Sequence, residues 1–339
     1  MKNDMAVYGR KLRSLLKNKL TVVTIVLILL VVAPAIANPY FLTENNMKAL
    51  LRDLAFNGIL ATGMFYLIVL GDLDLSIGKM GCLCGILVGL MMTKLNLPPV
   101  LAIVIGLLLG LLFGFINGLI VTKFNLMAMI VTIGMNSVYM GLNTLLTKGT
   151  AVSGLPTGWL FVGQGYIGML PVPFVIAAVL LVATTFIMMS TRFGRYSFAV
   201  GSNIDAADII GVNPNRQRIL SFVIMGGFAA LTGMLFVARM GTAQPSIGDS
   251  WPLNAIAACV IGGVSLTGGE GHPIGAFIGA AIMTLITNVI VMFGVPIYWQ
   301  TFASGMVIII AILIEPIQRI FQESSQKKNR GKVLPPVQG

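Results

Sequence analysis

Long apolar runs, separated by short polar or Pro/Gly breaks, follow one another along almost the whole chain. Lipid offers no hydrogen-bond partner to the backbone, so each run must form a helix of about 20 residues. The runs 79–93 and 254–266 are short for a full crossing, and either could be a broken or re-entrant helix. The sequence therefore predicts an all-α, polytopic membrane helix bundle with about ten transmembrane helices. The predicted spans are residues 20–38, 54–71, 79–93, 98–122, 126–146, 171–190, 219–238, 254–266, 275–294 and 297–315.

Charged residues are too rare to coat the surface of a soluble protein. They make up 10% of the chain, against 57% for hydrophobic residues, whereas soluble domains carry about 25% charged residues. This composition excludes a cytosolic enzyme, a nucleic-acid-binding domain and a disordered protein. The net charge of +11 is instead typical of basic cytoplasmic loops, which orient a membrane protein.

Ten crossings with an internal N-terminus place 17 of the 22 Lys and Arg residues on the cytoplasmic side, Lys79 among them, and 5 outside. This bias predicts a basic cytoplasmic segment over residues 1–19, a membrane domain over 20–318 and a basic cytoplasmic tail over 319–339. The stretch Ala35-Ile36-Ala37 resembles a signal-peptide cleavage site. We nevertheless expect the first apolar run to remain as a span, because its charged leader is long for a signal peptide.

No group of residues in the sequence suits catalysis or metal binding. The three cysteines lie in apolar stretches, the single histidine is His272, and no ATP-binding motif is present. The acidic residues near the membrane fall at the predicted ends of spans, whereas ion-coupled carriers usually need a buried charge. Uncharged polar residues inside spans are typical of helix–helix contacts, and together they would suit a pathway for a neutral, hydroxyl-rich solute. They include Asn57, Thr62, Asn117, Asn136, Asn143 and Asn288.

The span 98–122 has a glycine at every fourth position of one stretch. Residues four apart share one face of a helix, so this face predicts close approach by another helix rather than contact with a substrate. A sliding surface for a moving helix is the functional alternative. The four glycines are Gly106, Gly110, Gly114 and Gly118.

Two short glycine-containing motifs follow apolar runs. The first motif has two carboxylates. We favour a structural turn, in which Asp74 or Ser76 caps the next helix, over a direct functional role for these residues. The second cannot be a P-loop, because no Lys-Ser or Lys-Thr follows at the required spacing, and its glycines suit a place where a helix breaks. Residues 69–78 and 260–269 share Val, Gly, Leu and Gly at matched positions. This similarity indicates either an internal repeat, as in many transporters, or chance. The motif positions are Gly71, Asp72, Asp74, Ser76 and Gly78 in the first, and Gly262, Gly263, Ser265, Gly268, Gly269 and Gly271 in the second.

The segment 191–218 is the one sizeable loop predicted on the cytoplasmic side. Its pattern predicts a short helix over Ile204–Ile210, capped by Ser202 or Asn203 and ended by Gly211. A solvated loop has no need for apolar residues on such a helix, so an exposed apolar face there suggests docking to another protein. The residues of that face are Ala206, Ala207, Ile209 and Ile210.

These three segments resemble the membrane-spanning permease subunits of bacterial ABC importers for ribose, arabinose and xylose. Gly71–Gly78 matches the family's Gly-x-x-Asp-Leu-Ser-Val-Gly with Ile77 in place of Val, and Gly262–Gly271 matches Gly-Gly-x-Ser-Leu-x-Gly-Gly-x-Gly in full. The loop between them matches the family's coupling loop, with Ser202 where a second glycine is common. The resemblance covers about residues 41–318. The matching coupling-loop residues are Gly201, Asn203, Ala206, Ala207 and Gly211.

The resemblance implies a type II importer permease in the bacterial inner membrane, with both termini in the cytoplasm. Two permease subunits, identical or paralogous, would form the pathway within membrane lipid, and a periplasmic or lipid-anchored binding protein would deliver a sugar. A separate cytoplasmic ATPase would bind ATP and Mg and seat a coupling helix at 203–211. This chain is therefore expected to hold no cofactor, to be no enzyme and to bind no nucleic acid.

Other interpretations stay open on the sequence alone. Related permeases carry nucleosides, a furanosyl signalling molecule, an inositol or a branched-chain amino acid, and nothing in the residues separates these solutes. A self-sufficient secondary carrier or channel belongs to another class, which would move its solute without ATP or partner chains. A membrane enzyme is disfavoured by the lack of catalytic groups.

Overall fold

The computed structural model describes residues 19–296 and, beyond them, residues 299, 302, 305, 306, 309 and 313. The predicted span 297–315 lies largely outside the described residues. The predicted tail, 319–339, lies outside them entirely, and so does nearly all of the predicted segment 1–19.

The described part of the chain is mostly helical, as the sequence predicts. A single antiparallel pair of two-residue strands, β1 (Tyr166–Ile167) and β2 (Leu170–Pro171), interrupts these helices. The helices in chain order are α1 (Lys19–Ala37), α2 (Glu44–Ile68), α3 (Ile77–Lys94), α4 (Pro99–Lys123), α5 (Ala128–Thr147), α6 (Thr157–Gln164), α7 (Val172–Ser190), α8 (Arg192–Ser202), α9 (Ile204–Ile209), α10 (Pro214–Met240), α11 (Trp251–Ile261) and α12 (Pro273–Met292).

Seven helices in the described residues are long and apolar enough to cross a membrane, namely α1, α3, α4, α5, α7, α10 and α12. The count of about ten is therefore not confirmed. α2 has 25 residues, but Arg52, Asp53 and Asn57 make its first half polar. The run predicted at 254–266 belongs to α11, which has 11 residues and is too short to cross.

α2, α3 and α10 form the interior of the bundle. Every residue from 58 to 69 on α2 and from 76 to 86 on α3 is buried. By contrast, α4, α5 and α7 expose large apolar side chains such as Leu108, Ile130 and Val182. Exposed apolar surface of this extent is suited to lipid, so the bundle has a protein-packed centre and a lipid-compatible outside.

The glycine face of α4 packs against α10. A Cβ atom at Gly110 would lie 2.3 Å from Ala230 Cβ, and one at Gly114 would lie 2.2 Å from Phe222 O. Gly226 on α10 faces back, since a Cβ atom there would lie 2.2 Å from Gly110 O. Small residues on both helices thus let the two backbones approach closely. The four glycines of α4, Gly106, Gly110, Gly114 and Gly118, are all buried.

Between α10 and α11 the chain runs back into the bundle without forming a helix. The Cys82 thiol donates to Gln244 O at 3.2 Å, and Lys79 Nζ donates to Pro245 O at 2.8 Å. The part of α3 that carries these two residues packs against Ala229, in the middle of α10. The irregular stretch 241–250 therefore reaches the middle of the bundle, where such backbone is tolerated only beside protein or water.

Lys79 does not lie in a solvated loop, as the charge count assumed. It belongs to the first turn of α3, is 4% exposed and forms an ion pair with Asp249. A lysine at this depth is costly unless it is paired, and Asp249 and Pro245 O supply its partners. One of the 17 basic residues assigned to the cytoplasmic side is thus part of the internal packing.

Candidate functional site

The two glycine motifs and the loop between them meet at one end of the bundle. Gly269 N–H donates to Val69 O at 2.9 Å, and a Cβ atom at Gly201 would lie 1.8 Å from the same oxygen. A Cβ atom at Gly268 would lie 3.0 Å from Gly71 N. A side chain at these positions would separate the three backbones. We call this cluster the motif junction; it comprises residues 69–71, 201–202 and 268–269.

α2 and α11 end in the same kind of turn, in which a glycine in the left-handed region and the residue after it each donate a backbone hydrogen bond to the preceding helix, as in a Schellman motif. The glycines are Gly71, with φ of 79°, and Gly263, with φ of 84°. The sequence similarity between the two motifs aligns Gly71 with Gly262. In the structure Gly71 corresponds to Gly263, so the two alignments differ by one residue. The bonds are Gly71 N–H to Ile68 O, Asp72 N–H to Leu67 O, Gly263 N–H to Val260 O and Val264 N–H to Cys259 O.

Asp72 of the first motif is bound by Arg218, near the start of α10. Arg218 Nε and Nη2 donate to the two carboxylate oxygens of Asp72, each at 2.7 Å, and both side chains are largely buried. This bidentate pair fixes the turn after α2 to α10. The sequence does not identify Arg218 as the partner of Asp72, because the two residues are 146 positions apart.

Asp74 is completely buried at the centre of a polar network. Ser76 donates to Asp74 Oδ1 through its N–H at 2.8 Å and its hydroxyl at 2.6 Å, and Asn117 Nδ2 donates to Oδ2 at 3.2 Å. Tyr139 OH donates to Asn117 Oδ1 at 3.0 Å. The network ties the turn to α4 and α5. Ser76 precedes α3, but its side chain makes no cap on that helix. Asp74, the other predicted candidate, accepts from the N–H of Ser76 directly before α3.

We expect Tyr139→Phe to lower the free energy of unfolding by about 1–3 kcal/mol, because it leaves buried Asn117 Oδ1 without its donor. An unfolding titration in mixed detergent micelles measures this change. The control is Tyr40→Phe, since Tyr40 is exposed and should tolerate the loss of its hydroxyl. Equal stability of the two variants would contradict the role assigned to the network.

α9, in the predicted coupling loop, begins beside the motif junction. Asn203 Oδ1 accepts from Ala206 N–H at 2.9 Å, while the Ser202 hydroxyl donates to Phe198 O within α8. The cap is therefore Asn203, one of the two residues that the sequence offers. The helix ends before Gly211, which has a φ of 84°, as the sequence predicts for its C-terminal turn.

The apolar face predicted for this short helix is divided between the interior and the surface. Ala207 is 2% exposed and lies in a small cluster with Val200 and Val212. Ile209 and Ile210 are 85% and 73% exposed. A charge at Ala207 would consequently disturb the loop itself, and Ile209 and Ile210 are the residues able to meet another protein.

α8 connects this surface to the interior through aromatic contacts with α2. The rings of Phe193 and Tyr66 are 6.2 Å apart between centroids, and those of Phe198 and Phe65 are 6.4 Å apart. Leu70, at the end of α2, packs against the Ala207 cluster. The short helix is therefore linked to α2 through Leu70 and through α8.

His272, directly after the second motif, caps α12. Its Nδ1 accepts from Ile274 N–H at 3.2 Å, which requires a ring without a proton on that nitrogen. Burial lowers the pKa of His272, and this favours the neutral ring. The cap fixes the point at which the second motif ends and α12 begins.

The motif junction joins structural elements rather than reactive groups. It consists mostly of backbone atoms, and the nearby carboxylates of Asp72 and Asp74 are bound to protein partners. Within the described ranges, no group of three or more His, Cys, Asp or Glu residues could hold a metal ion. Because the end of α8, the turn after α2 and the second motif touch here, a displacement of one element acts directly on the others.

Most uncharged polar residues of the spans bind neighbouring helices or backbone. Asn143 Nδ2 donates to Lys79 O at 3.1 Å, and Asn288 Nδ2 donates to Asn46 Oδ1 at 2.9 Å. Asn57 also binds a neighbouring helix, through Thr284 on α12, and in addition lines a cavity at the other end of the bundle. The sequence analysis therefore identified one residue of the cavity but not the other residues that line it. A weak signal was available: polar residues recur three or four positions apart on otherwise apolar helices.

Comparison with known proteins gives matches along most of the chain. The family described as branched-chain amino acid transport system / permease component matches residues 46–312. The ribose import permease RbsC of Bacillus subtilis is 39% identical over 291 residues, which cover 85% of this chain and 90% of that protein. RbsC of Escherichia coli K12 is 33% identical over 297 residues, covering 86% and 92% of the two chains.

A permease for another solute is also similar. The autoinducer 2 import system permease LsrC of Klebsiella pneumoniae is 33% identical over 308 residues, covering 90% of this chain and 88% of that protein. No solved structure matches the chain. The family match includes both glycine motifs and the loop between them, and the apolar helices agree with a multi-pass protein of the inner membrane. The chain belongs to the family of branched-chain amino acid transport system permease components.

Proposed function

We propose that the chain is the membrane-spanning subunit of an ATP-driven importer and forms the translocation pathway for a sugar. Two of the relatives described above import ribose and a third imports autoinducer 2, and each similarity extends over more than four-fifths of both chains. In this proposal a separate ATPase binds ATP and Mg, and this chain hydrolyses nothing.

The observation that carries the proposal is the surface of α9. Ile209 and Ile210 are exposed on a short capped helix, which is suited to docking on a partner protein. The same helix is anchored to α2 through Ala207, Leu70 and the aromatic contacts of α8. Movement of a docked ATPase would therefore be transmitted to the centre of the bundle, and such rigid-body movement alternates access in transporters.

The remaining partners follow from this arrangement. The motif junction would face the cytoplasm, with both chain termini on that side. A second permease subunit, identical or paralogous, would pair with this one in the membrane lipid. A periplasmic or lipid-anchored binding protein would deliver the solute to the opposite end of the bundle.

Reconstitution in lipid vesicles tests the proposal. The chain alone should move no ribose, whereas the chain with its ATPase and solute-loaded binding protein should accumulate ribose when ATP is present on the ATPase side. Ribose movement by the chain alone would indicate a carrier or channel and would overturn the proposal.

The family description favours a second candidate cargo, a branched-chain amino acid. Titration of the importer's binding protein with ribose and with leucine distinguishes the two candidate cargoes. Binding of ribose supports the sugar, whereas binding of leucine without ribose would replace it.

We expect Ile209→Asp to reduce ATP-dependent uptake at least tenfold, because a buried, unpaired carboxylate at the docking surface would weaken the contact with the ATPase. Uptake and ATPase co-purification are measured together. Ile209→Val keeps an apolar side chain at the same position and should retain uptake. Normal uptake by Ile209→Asp would show that this face does not dock.

A further inference from the structure

A cavity of about 380 Å³ lies at the end of the bundle opposite the motif junction. This volume falls within the range of about 300–1,000 Å³ that is usual for small-molecule sites. α2, α10, α11 and α12 form its walls, together with Ser250 just before α11. The lining residues are Asp53, Phe56, Asn57, Phe236, Arg239, Ser250, Trp251, Asn254, Thr284 and Thr287.

One wall of the cavity is aromatic. The Phe56 and Phe236 rings are 5.2 Å apart between centroids, and those of Phe236 and Trp251 are 5.5 Å apart; both pairs are edge-to-face. Three aromatic side chains from α2, α10 and α11 thus form one connected cluster. Aromatic side chains offer an apolar surface for the C–H groups of a small ring, without fixing its hydroxyls.

The rest of the lining carries hydrogen-bonding groups. The polar side chains of Ser250, Asn254 and Thr287 line the cavity. Asn57 Nδ2 donates to Thr284 Oγ1 at 2.9 Å, which leaves the Asn57 carbonyl oxygen as an acceptor. The cavity therefore offers several donors and acceptors to whatever occupies it, which suits hydroxyl groups.

The charges of the cavity neutralise each other. Arg239 donates to Asp53 in an ion pair, and its guanidinium lies 5.3 Å from the centre of the Phe56 ring. Neither charge is left for an ionic ligand. A neutral occupant avoids the cost of separating this pair, whereas a single charged group would gain no free counter-charge.

The position of the cavity suits a transport pathway. The irregular stretch 241–250 runs from the end of α10 into the middle of the bundle, and α11, which starts at Trp251, is too short to cross a membrane. Solute sites in transporters are typically formed where a transmembrane helix is interrupted. Ser250, Trp251 and Asn254 lie at such an interruption.

We propose that this cavity is the solute site of the permease and takes a neutral, polyhydroxylated ring of monosaccharide size. The ring would lie against Phe236 and Trp251, and its hydroxyls would bind Asn57, Asn254 and Thr287. This inference rests on the proposed function for the direction of transport, but the location of the site follows from the cavity itself.

The first test is the double substitution Asn254→Leu with Thr287→Val in the complete reconstituted importer. It removes the hydrogen-bonding groups of both side chains and keeps the number of side-chain heavy atoms, and we expect ribose uptake to fall about tenfold or more. Co-purification of the ATPase with the double variant checks that the importer still assembles. Thr144→Val, the matched change on the exposed face of α5, should leave uptake unchanged. Unchanged uptake by the double variant would overturn the proposal.

A second variant decides the question even if the first fails to assemble. Thr287→Cys introduces a thiol into the cavity, while Cys82, Cys84 and Cys259 are all buried. A membrane-impermeant thiol reagent added on the binding-protein side should block uptake, and excess ribose should slow the modification. Modification without loss of uptake would place the pathway elsewhere.

These experiments separate the cavity from the proposed function. If the unmodified importer transports leucine and no monosaccharide, the sugar assignment is wrong both for the importer and for the cavity. Leucine uptake by the Thr287→Cys variant then tests the location alone: a block by the reagent supports this site as the pathway, and an unaffected rate overturns it.

Discussion

Gly110→Leu is expected to abolish assembly of the helix bundle. A Cβ atom at Gly110 would already lie 2.3 Å from Ala230 Cβ and 2.6 Å from Gly226 O, and a leucine adds three further carbon atoms. Overpacking a core by a few methylenes typically costs about 1–3 kcal/mol. Here the neighbouring atoms include α10 backbone, which cannot change rotamer, so we expect a loss above that range.

The yield of monodisperse protein in detergent measures this effect, with thermal stability as a second readout. Gly141→Leu is the matched control, because a Cβ atom at Gly141 on α5 meets nothing within 4 Å. It should give a normal yield. Normal yield and stability of Gly110→Leu would show that α4 and α10 do not approach each other through this face.

Arg218→Ala is expected to destabilise the protein by about 3–5 kcal/mol, the usual cost of leaving one partner of a buried ion pair without the other. Asp72 would keep a carboxylate that is 7% exposed and has lost both of its 2.7 Å hydrogen bonds. Because the pair holds the turn after α2 against α10, ATP-dependent uptake should fall as well.

A double-mutant cycle separates the ion pair from simple loss of side-chain volume. Asp72→Ala and Arg218→Ala combined should be much less destabilising than the sum of the single changes, since neither charge remains unpaired. Lys48→Ala is the control: its partner Glu44 is exposed, and such surface pairs contribute little. Strictly additive losses at Asp72 and Arg218 would contradict a direct interaction.

Local features of the fold were predictable because the interacting groups are close in sequence. Asn203 caps α9 through an amide three residues away, and Gly211 ends it, and both follow from residue type and spacing. The same holds for the turn at Gly71. The glycine face of α4 was predictable as a face, but α10 as its partner was not.

The errors have an equally physical origin. Ala207 and Ile209 are both apolar and lie two positions apart, and only contact with Val200 and Val212 decides that the first is inside. Lys79 was assigned to a solvated loop because a charged side chain is usually found in contact with water. In the structure, Asp249 provides its partner inside the bundle. A hydropathy window could not foresee that partner.

The sequence by itself determined that this chain is a membrane helix bundle whose motifs lie where helices end, because lipid leaves the backbone no other way to form its hydrogen bonds. The tertiary structure alone decided which groups meet. Asp72 and Arg218, or Asp53 and Arg239, are more than a hundred positions apart, and their pairing depends on how the helices pack rather than on any local pattern. The cavity exists for the same reason: its lining comes from four helices, and no single stretch of sequence contains it.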